Sequence, residues 1–82
     1  MTISYDKIAD VLYVAFDKTS PDQYVFVENN EGDILKVDKH TGRVVGCTIP
    51  SFAARTKRGK AIVMPEIGAV PFNDMARELL HV

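Results

Sequence analysis

The residue spacing with the clearest chemical meaning is a cluster of cations in the second half of the chain. Four positive charges fall within six residues, at Arg55, Lys57, Arg58 and Lys60. Gly59 among them would let backbone N–H groups approach a phosphate, and Phe52 nearby could stack on a base. Residues 55–60 are therefore predicted to form a basic loop whose four cations are candidate contacts to a phosphate or a nucleic acid.

A bland interpretation of the same segment competes with this one. The net charge of the chain is −1, and it carries no recognised nucleic-acid fold signature. A solvated loop, or a loop that pairs with the acidic half of a second copy, is the favoured interpretation. The charge distribution would allow such pairing, because residues 1–38 hold three lysines and eight acids, whereas residues 39–82 hold seven basic groups and three acids.

Paired carboxylates are a second candidate for chemistry. Asp6 and Asp10 could divide acid–base work between them, but such chemistry needs a cleft that a small sheet hardly supplies. Capping of turns by the two carboxylates is the better interpretation. The acidic turn from Glu28 to Asp33 lacks the calcium-loop pattern, because Val27 stands where the first ligand must be.

Metal-binding and nucleophilic residues are scarce and scattered. His40, Cys47 and His81 are far apart in sequence, whereas structural zinc sites usually draw their ligands from close pairs. Cys47 has no neighbouring base, and a lone cysteine in a strand usually behaves as a small hydrophobe. We therefore expect no metal, no cofactor and no enzymatic activity.

Length and composition indicate one small domain that spans residues 1–82, with a strand-rich core over residues 3–50. Eighty-two residues leave no room for a second core, and oligomerisation is a natural supplement at this size. No apolar run is long enough to cross a membrane and no signal peptide opens the chain. The single cysteine favours a reducing compartment, so we expect a cytoplasmic location.

The elements that would position these residues are organised around a hairpin from Asp33 to Ile49. Two strands dense in β-branched residues flank a turn in which Gly42 holds the position that needs a positive φ. Alternation places Leu35, Val37, Val45, Cys47 and Ile49 on one face of this hairpin, and Ile34, Lys36, Asp38, Val44 and Thr48 on the other. Gly46 within the second strand indicates a bulge or a close approach by another backbone.

The remaining elements complete an α+β pattern: a small antiparallel sheet built from consecutive hairpins, with one C-terminal helix. Further strands are predicted at Ile3–Tyr5, Val11–Phe16 and Tyr24–Glu28, with one more strand possible at Ala61–Met64. Residues 51–54 are ambiguous, and residues 65–70 are expected to be extended or irregular. The helix is predicted over about 72–81 with Asn73 as its N-cap, on an apolar stripe formed by Phe72, Met75, Ala76, Leu79 and Leu80.

With these elements placed, the chain resembles domain-of-unknown-function family 2283, a group of small bacterial and archaeal proteins. Two blocks over residues 3 to about 53 carry the resemblance: Tyr5-Asp6 with Asp10-Val11-Leu12-Tyr13-Val14, and Asp38 with Gly42-Arg43-Val44-Val45-Gly46 and Ile49. The resemblance implies a small β-rich domain without an established activity. Some relatives are encoded beside small toxin-like proteins, which implies a partner-binding role.

Together these observations predict a non-enzymatic protein-interaction module that is homodimeric, and the resemblance implies a small toxin-like protein as a partner. The small size, the strands that are apolar on both faces and the short helix that must dock all favour a homodimer. The helix docks either on its own sheet or on a second copy. The self-association face is predicted on the helix, at Phe72, Met75, Leu79 and Leu80. Phosphate or nucleic-acid binding through Arg55–Lys60 is the alternative.

Overall fold

A computed structural model describes residues 1–58, 62, 67 and 70–80 of the chain. Five strands and two α-helices follow one another along it, with a short 3₁₀ turn before the third strand. The strands are β1 (Thr2–Asp6), β2 (Val11–Ala15), β3 (Tyr24–Glu28), β4 (Ile34–Asp38) and β5 (Val44–Pro50). The helices are α1 (Phe52–Lys57) and α2 (Phe72–Leu79). The α+β class predicted from the sequence is confirmed.

The strands form one antiparallel sheet in the order β1-β2-β5-β4-β3. Hairpins join β1 to β2 and run on from β3 through β4 to β5, but β2 pairs with β5 and not with β3. The expectation of consecutive hairpins is therefore correct only in part. Residues 16–23 connect β2 to β3, and eight residues easily pass the roughly 14 Å that three strand spacings require. This connection leaves β3 at an outer edge of the sheet.

The β4–β5 hairpin lies inside the sheet, as the sequence predicts. Its turn is fixed by the Asp38 carboxylate, which accepts hydrogen bonds from the backbone N–H groups of His40 (2.7 Å) and Thr41 (3.0 Å). Gly42 has a φ of +73°, the conformation that the predicted turn type demands. Pro50 ends β5 opposite Val11, in agreement with the missing N–H of proline.

A register shift interrupts the β4–β5 ladder and corrects the predicted assignment of faces. Lys36 lies opposite Gly46, whereas the next residue, Val37, lies opposite Val44, so Val45 is the extra residue. Val44 therefore packs against the core and not on the other face. Next to the shift, a Cβ atom on Gly46 would lie 2.8 Å from the Val14 carbonyl oxygen. Both features expected of Gly46, a bulge and a close backbone, are present.

Helix α1 replaces the first part of the predicted basic loop. Residues 52–57, which include the ambiguous segment and the first two cations, are helical. Six residues are too few to show a clear apolar period, and the N-terminal backbone groups of α1 are satisfied by a distant part of the chain and not by a local cap. Lys60, His81 and most of segment 65–70 lie outside the described residues, as does the possible strand over 61–64 except for Ile62.

Helix α2 agrees with the predicted C-terminal helix over Phe72–Leu79, but its N-terminus differs. Pro71 occupies the N-cap position and Asn73 lies within the first turn. The Asn73 side-chain oxygen accepts a hydrogen bond from the backbone N–H of Ile62 (3.1 Å). The capping role predicted for Asn73 is therefore wrong, because this side chain ties α2 to the preceding segment instead.

Both helices pack on the same face of the sheet. The core is apolar and consists of Leu12, Val14, Leu35, Cys47, Ile49, Phe52, Ile62, Phe72 and Ala76. Phe72 is only 1% exposed in this core, which leaves it no surface for a second copy and corrects its assignment to a self-association face. Met75, Leu79 and Leu80 are partly buried against the same core. The helix therefore docks on its own sheet.

The close approach at Gly46 predicts the effect of adding one methyl group. Gly46→Ala should lower the free energy of unfolding by about 1–3 kcal/mol, because the new Cβ must displace the Val14 carbonyl, which is rigid backbone. Urea denaturation measures the change. Gly42→Asn is the matched control: the space around Gly42 is open and asparagine tolerates a positive φ. A Gly46→Ala loss no larger than that of the control would contradict the packing described here.

Candidate functional site

The four predicted phosphate contacts do not form one cluster of free cations. Arg55 lies in α1 with its side chain mostly buried, whereas Lys57 and Arg58 are exposed at the C-terminal end of that helix. Lys60 lies outside the described residues. Among the described members, two cations remain at the surface, which is a small electrostatic footprint for phosphate recognition.

Arg55 is held by a carboxylate that has no exposure to solvent. Its guanidinium contacts both carboxylate oxygens of Asp33, at 2.5 and 3.4 Å, and the Asp33 side chain is fully buried. The Asn29 side chain supports this pair: its oxygen accepts the backbone N–H of Asp33 (2.9 Å) and its amide nitrogen lies 3.5 Å from the Asp33 carboxylate. Removing the cation would leave a buried, unpaired carboxylate, which costs folding free energy. Arg55 therefore joins α1 to the β3–β4 turn and is not available to a ligand.

A second long-range carboxylate, Asp10, caps the N-terminus of α1. Ser51 occupies the N-cap position with a φ of +53°, and its side chain makes no capping hydrogen bond. Asp10 takes over this function from the β1–β2 turn. Its backbone oxygen accepts the N–H of Phe52 (3.1 Å), and its carboxylate accepts those of Ala53 (2.7 Å) and Ala54 (3.3 Å). The first three N–H groups of α1 are thus satisfied by one residue that lies more than forty positions earlier.

Tyr5 completes this polar cluster and indicates its charge state. The Tyr5 hydroxyl donates a 2.7 Å hydrogen bond to the Asp10 carboxylate, and this bond, together with burial, raises the pKa of Tyr5 to about 12. Burial alone would favour a neutral Asp10, but the hydrogen bonds from Ala53, Tyr5 and Ala54 outweigh it, so the pKa of Asp10 lies below its ordinary value. At neutral pH, Asp10 is ionised and Tyr5 is protonated, an arrangement that holds α1 in place.

Asp6 has the role that the sequence predicts. Its carboxylate accepts the N–H groups of Ile8 and Ala9, each at 3.0 Å, within its own turn. Asp6 is therefore a turn cap, whereas Asp10 is a helix cap. The two carboxylates stabilise different local structures and have separate partners.

The cleft above this cluster has a volume of about 610 Å³. It lies between the β1–β2 turn and the ends of both helices, and the residues that line it are Tyr5, Lys7, Asp10, Ala53, Lys57, Leu79 and Leu80. The Asp10 carboxylate in this cleft accepts hydrogen bonds from the N–H groups of α1, and the Tyr5 hydroxyl donates its hydrogen bond to Asp10. Its remaining polar side chains are two lysines, which could attract an anion but have no built pocket around them.

The remaining reactive groups are separated. Cys47 is buried, and burial together with the charge of Asp33 raises the pKa of its thiol to about 11, so the thiolate is disfavoured near neutral pH. Within residues 1–58, 62, 67 and 70–80, no three His, Cys, Asp or Glu side chains come together as metal ligands. In the same part of the chain, no helix is both long and apolar enough to cross a membrane.

The sheet face opposite the helices is open, which the sequence did not predict. The paired strands place Ser4, Tyr13, Thr48, Ile34 and Glu28 in one row across this face. Tyr13 is 45% exposed and Ile34 is 36% exposed. Alternation along single strands cannot show this, because the packing of α1 and α2 on one side of the sheet depends on long-range contacts.

The open face ends at β3, the strand with the most exposed apolar surface. Val25, Phe26 and Val27 are 44%, 65% and 45% exposed, so apolar side chains point outward on both faces of this strand. Strand β3 pairs with β4 on one side and lies at the edge of the sheet on the other. An apolar edge strand of this kind is a template for pairing with another chain unless something protects it.

The two aromatic side chains of β3 also contact each other. Tyr24 and Phe26 contact each other edge to face, with ring centroids 5.4 Å apart. The Lys36 ammonium from β4 lies 4.4 Å from the centre of the Tyr24 ring. We call Tyr24–Glu28 together with Lys36 the edge surface, and it is the strongest candidate for a binding site.

No family model, curated protein or solved structure matches this chain. The resemblance to domain-of-unknown-function family 2283 therefore stays a prediction. Within the structure, the Tyr5-Asp6 and Asp10 block on which that resemblance partly depends has a physical role, since these residues form the turn and the helix cap.

The capping role of Asp10 predicts a measurable loss when its carboxylate is removed. Asp10→Ala should lower the free energy of unfolding at neutral pH by about 1–2 kcal/mol, as for the loss of a helix cap. Because the folded protein lowers the pKa of Asp10, this contribution is complete above the ordinary carboxyl pKa and disappears as the pH falls through the lower, folded value.

Chemical denaturation of wild type and Asp10→Ala at a series of pH values tests this expectation. The difference between the two proteins should shrink at acidic pH. Asp17→Ala, at an exposed position, serves as the control and should change stability little. An Asp10→Ala loss that equals the control at neutral pH would show that the cap does not stabilise the fold.

Proposed function

We propose that this protein is a non-enzymatic interaction module that binds another protein chain through the edge surface. The observation that carries the proposal is the exposure of Val25, Phe26 and Val27 on both faces of an edge strand. Association would remove this apolar surface from water, and the unpaired backbone groups of β3 would gain partners. The resemblance noted in the sequence implies the same class of role, with a small toxin-like protein as one possible partner.

The edge surface is favoured over the other edge of the same sheet. Strand β1 presents Thr2, Ser4 and Asp6 toward the open face, so its outer side is polar there. Strand β3 presents two aromatic residues to that face and two valines to the opposite one. Binding energy at protein interfaces is concentrated in buried aromatic residues, so β3 is the better anchor.

The alternative, phosphate or nucleic-acid binding by Arg55–Lys60, receives less support. Arg55 is engaged by the buried Asp33 carboxylate, which leaves Lys57 and Arg58 as the exposed cations among the described residues of this segment. Phe52, the ring that the sequence suggested for stacking on a base, is fully buried in the core. For this reason we place the binding site on the sheet and not on α1.

A matched pair of lysine substitutions tests the proposed function. Phe26→Lys puts a charge at the centre of the edge surface, whereas Ser4→Lys puts the same charge on the same sheet face at the opposite edge. Tagged wild type and both variants are expressed in the native host beside an untagged copy of the chain, and bound proteins are quantified by mass spectrometry after nuclease treatment.

We expect wild type and Ser4→Lys to recover at least one bound protein in constant ratio. This bound protein is either the untagged copy of the chain or a different protein. Recovery with Phe26→Lys should fall at least tenfold. Equal recovery with Phe26→Lys would contradict the assignment of the site. Loss of all bound material on nuclease treatment would contradict the proposal and favour the basic segment of α1.

A further inference from the structure

Within the described part of the chain, the pairing of β3 with β4 determines which backbone groups of β3 have no partner. The N–H of Lys39 donates to Gln23 (2.8 Å), and the N–H of Asn29 donates to Asp33 (2.9 Å). Hydrogen-bonded pairs alternate along an antiparallel ladder, so Val25 and Val27 also direct their N–H and C=O groups toward β4. The corresponding groups of Tyr24, Phe26 and Glu28 point outward from the edge of the sheet.

The pattern of outward groups is compatible with its own copy. In an antiparallel pair of two β3 strands with Phe26 opposite Phe26, Tyr24 lies opposite Glu28 of the other copy. All three outward residues then face outward residues, so each can donate and accept one hydrogen bond. A shift of the register by one residue would place the outward-pointing backbone groups of one strand opposite the inward-pointing groups of the other. A shift by two residues would leave one of the three outward-pointing residues of each strand without a partner.

The side chains agree with this register. On the open face, Phe26 meets its counterpart on the two-fold axis, and on the other face Val25 meets Val27 of the second copy. Glu28 comes to lie beside the Tyr24 ring of the second copy, over which the Lys36 ammonium is placed. A carboxylate from one copy and an ammonium from the other therefore approach each other at both ends of the pair.

We propose that the occupant of the edge surface is a second copy of this chain, and that two β3 strands pair antiparallel about Phe26 to form one continuous ten-stranded sheet. This inference rests on the proposed function, because it names the partner of the same surface. It places the dimer contact on β3 and not on the α2 stripe. A closed two-fold contact covers the exposed apolar edge at β3 in both copies at the same time.

Light scattering coupled to gel filtration tests the association. Wild type and Ser4→Lys should have twice the 9.1 kDa mass of one chain, whereas Phe26→Lys should have the mass of a single chain with an unchanged far-ultraviolet circular dichroism spectrum. A monomeric wild type at every concentration up to the solubility limit would overturn the inference. A dimeric, folded Phe26→Lys would do the same.

Disulfide trapping tests the register and does not depend on the folding of Phe26→Lys. The proposed pair sets Val25 opposite Val27 of the second copy with Cα atoms about 4.5 Å apart, within the range that a disulfide spans. The positions of Val25 in the two copies are diagonal neighbours about 7–8 Å apart, which is too far. Val25→Cys mixed with Val27→Cys should therefore cross-link on mild oxidation, whereas each variant alone should not.

The control for this experiment is built into the chain, since Cys47 is buried with a raised pKa and should stay out of the exchange. Cross-linking of either variant by itself, or no cross-linking of the mixture, would overturn the register. Failure of the dimer is distinguishable from failure of the proposed function. Wild type could be monomeric and yet capture a different protein whose recovery falls with Phe26→Lys. That result would support the interaction site on β3 and exclude the second copy as its occupant.

Discussion

The position of the helical layer depends on one carboxylate. Asp10 accepts the first three N–H groups of α1 through its backbone and side chain, and the Tyr5 hydroxyl fixes the carboxylate from the side. A helix of six residues is marginal by itself, and the φ of Ser51 prevents the usual local cap. The β1–β2 turn therefore determines where α1 begins, and Arg55 joins the other end of the sheet to it through the buried Asp33.

This arrangement has a consequence for the rest of the molecule. With α1 and α2 on one face, Phe52 and Phe72 are buried in the core, and no described helix lies over the other face. The central strands β2, β5 and β4 still have a hydrogen-bonded neighbour strand at each edge. The outermost strand β3 is different: it has an open face, an open edge and three exposed apolar residues. Among the described residues, exposed apolar side chains and an outer strand edge thus coincide at β3, and the proposed interaction site lies there.

Local features of the fold could be predicted from the sequence, whereas long-range ones could not. Gly42, Asp38 and the β-branched strands define the β4–β5 hairpin through short-range stereochemistry, and the apolar period of α2 predicts its buried stripe. The Asp10 cap and the Asp33–Arg55 pair join residues 43 or 22 positions apart, a relation that no local pattern carries. The same limit explains why Arg55 resembled a free cation and why Phe72 resembled a dimer contact.

Amide hydrogen exchange on the wild-type protein measures whether the outer side of β3 pairs with a second copy of the chain. The amides of Phe26 and Glu28 point outward, whereas those of Val25 and Val27 are bonded to β4 and report on the fold itself. The account predicts that the outward amides are protected in concentrated solution and lose this protection on dilution, while the inward amides stay protected throughout. Outward amides that exchange at the unprotected rate at every concentration, beside protected inward amides, would contradict it.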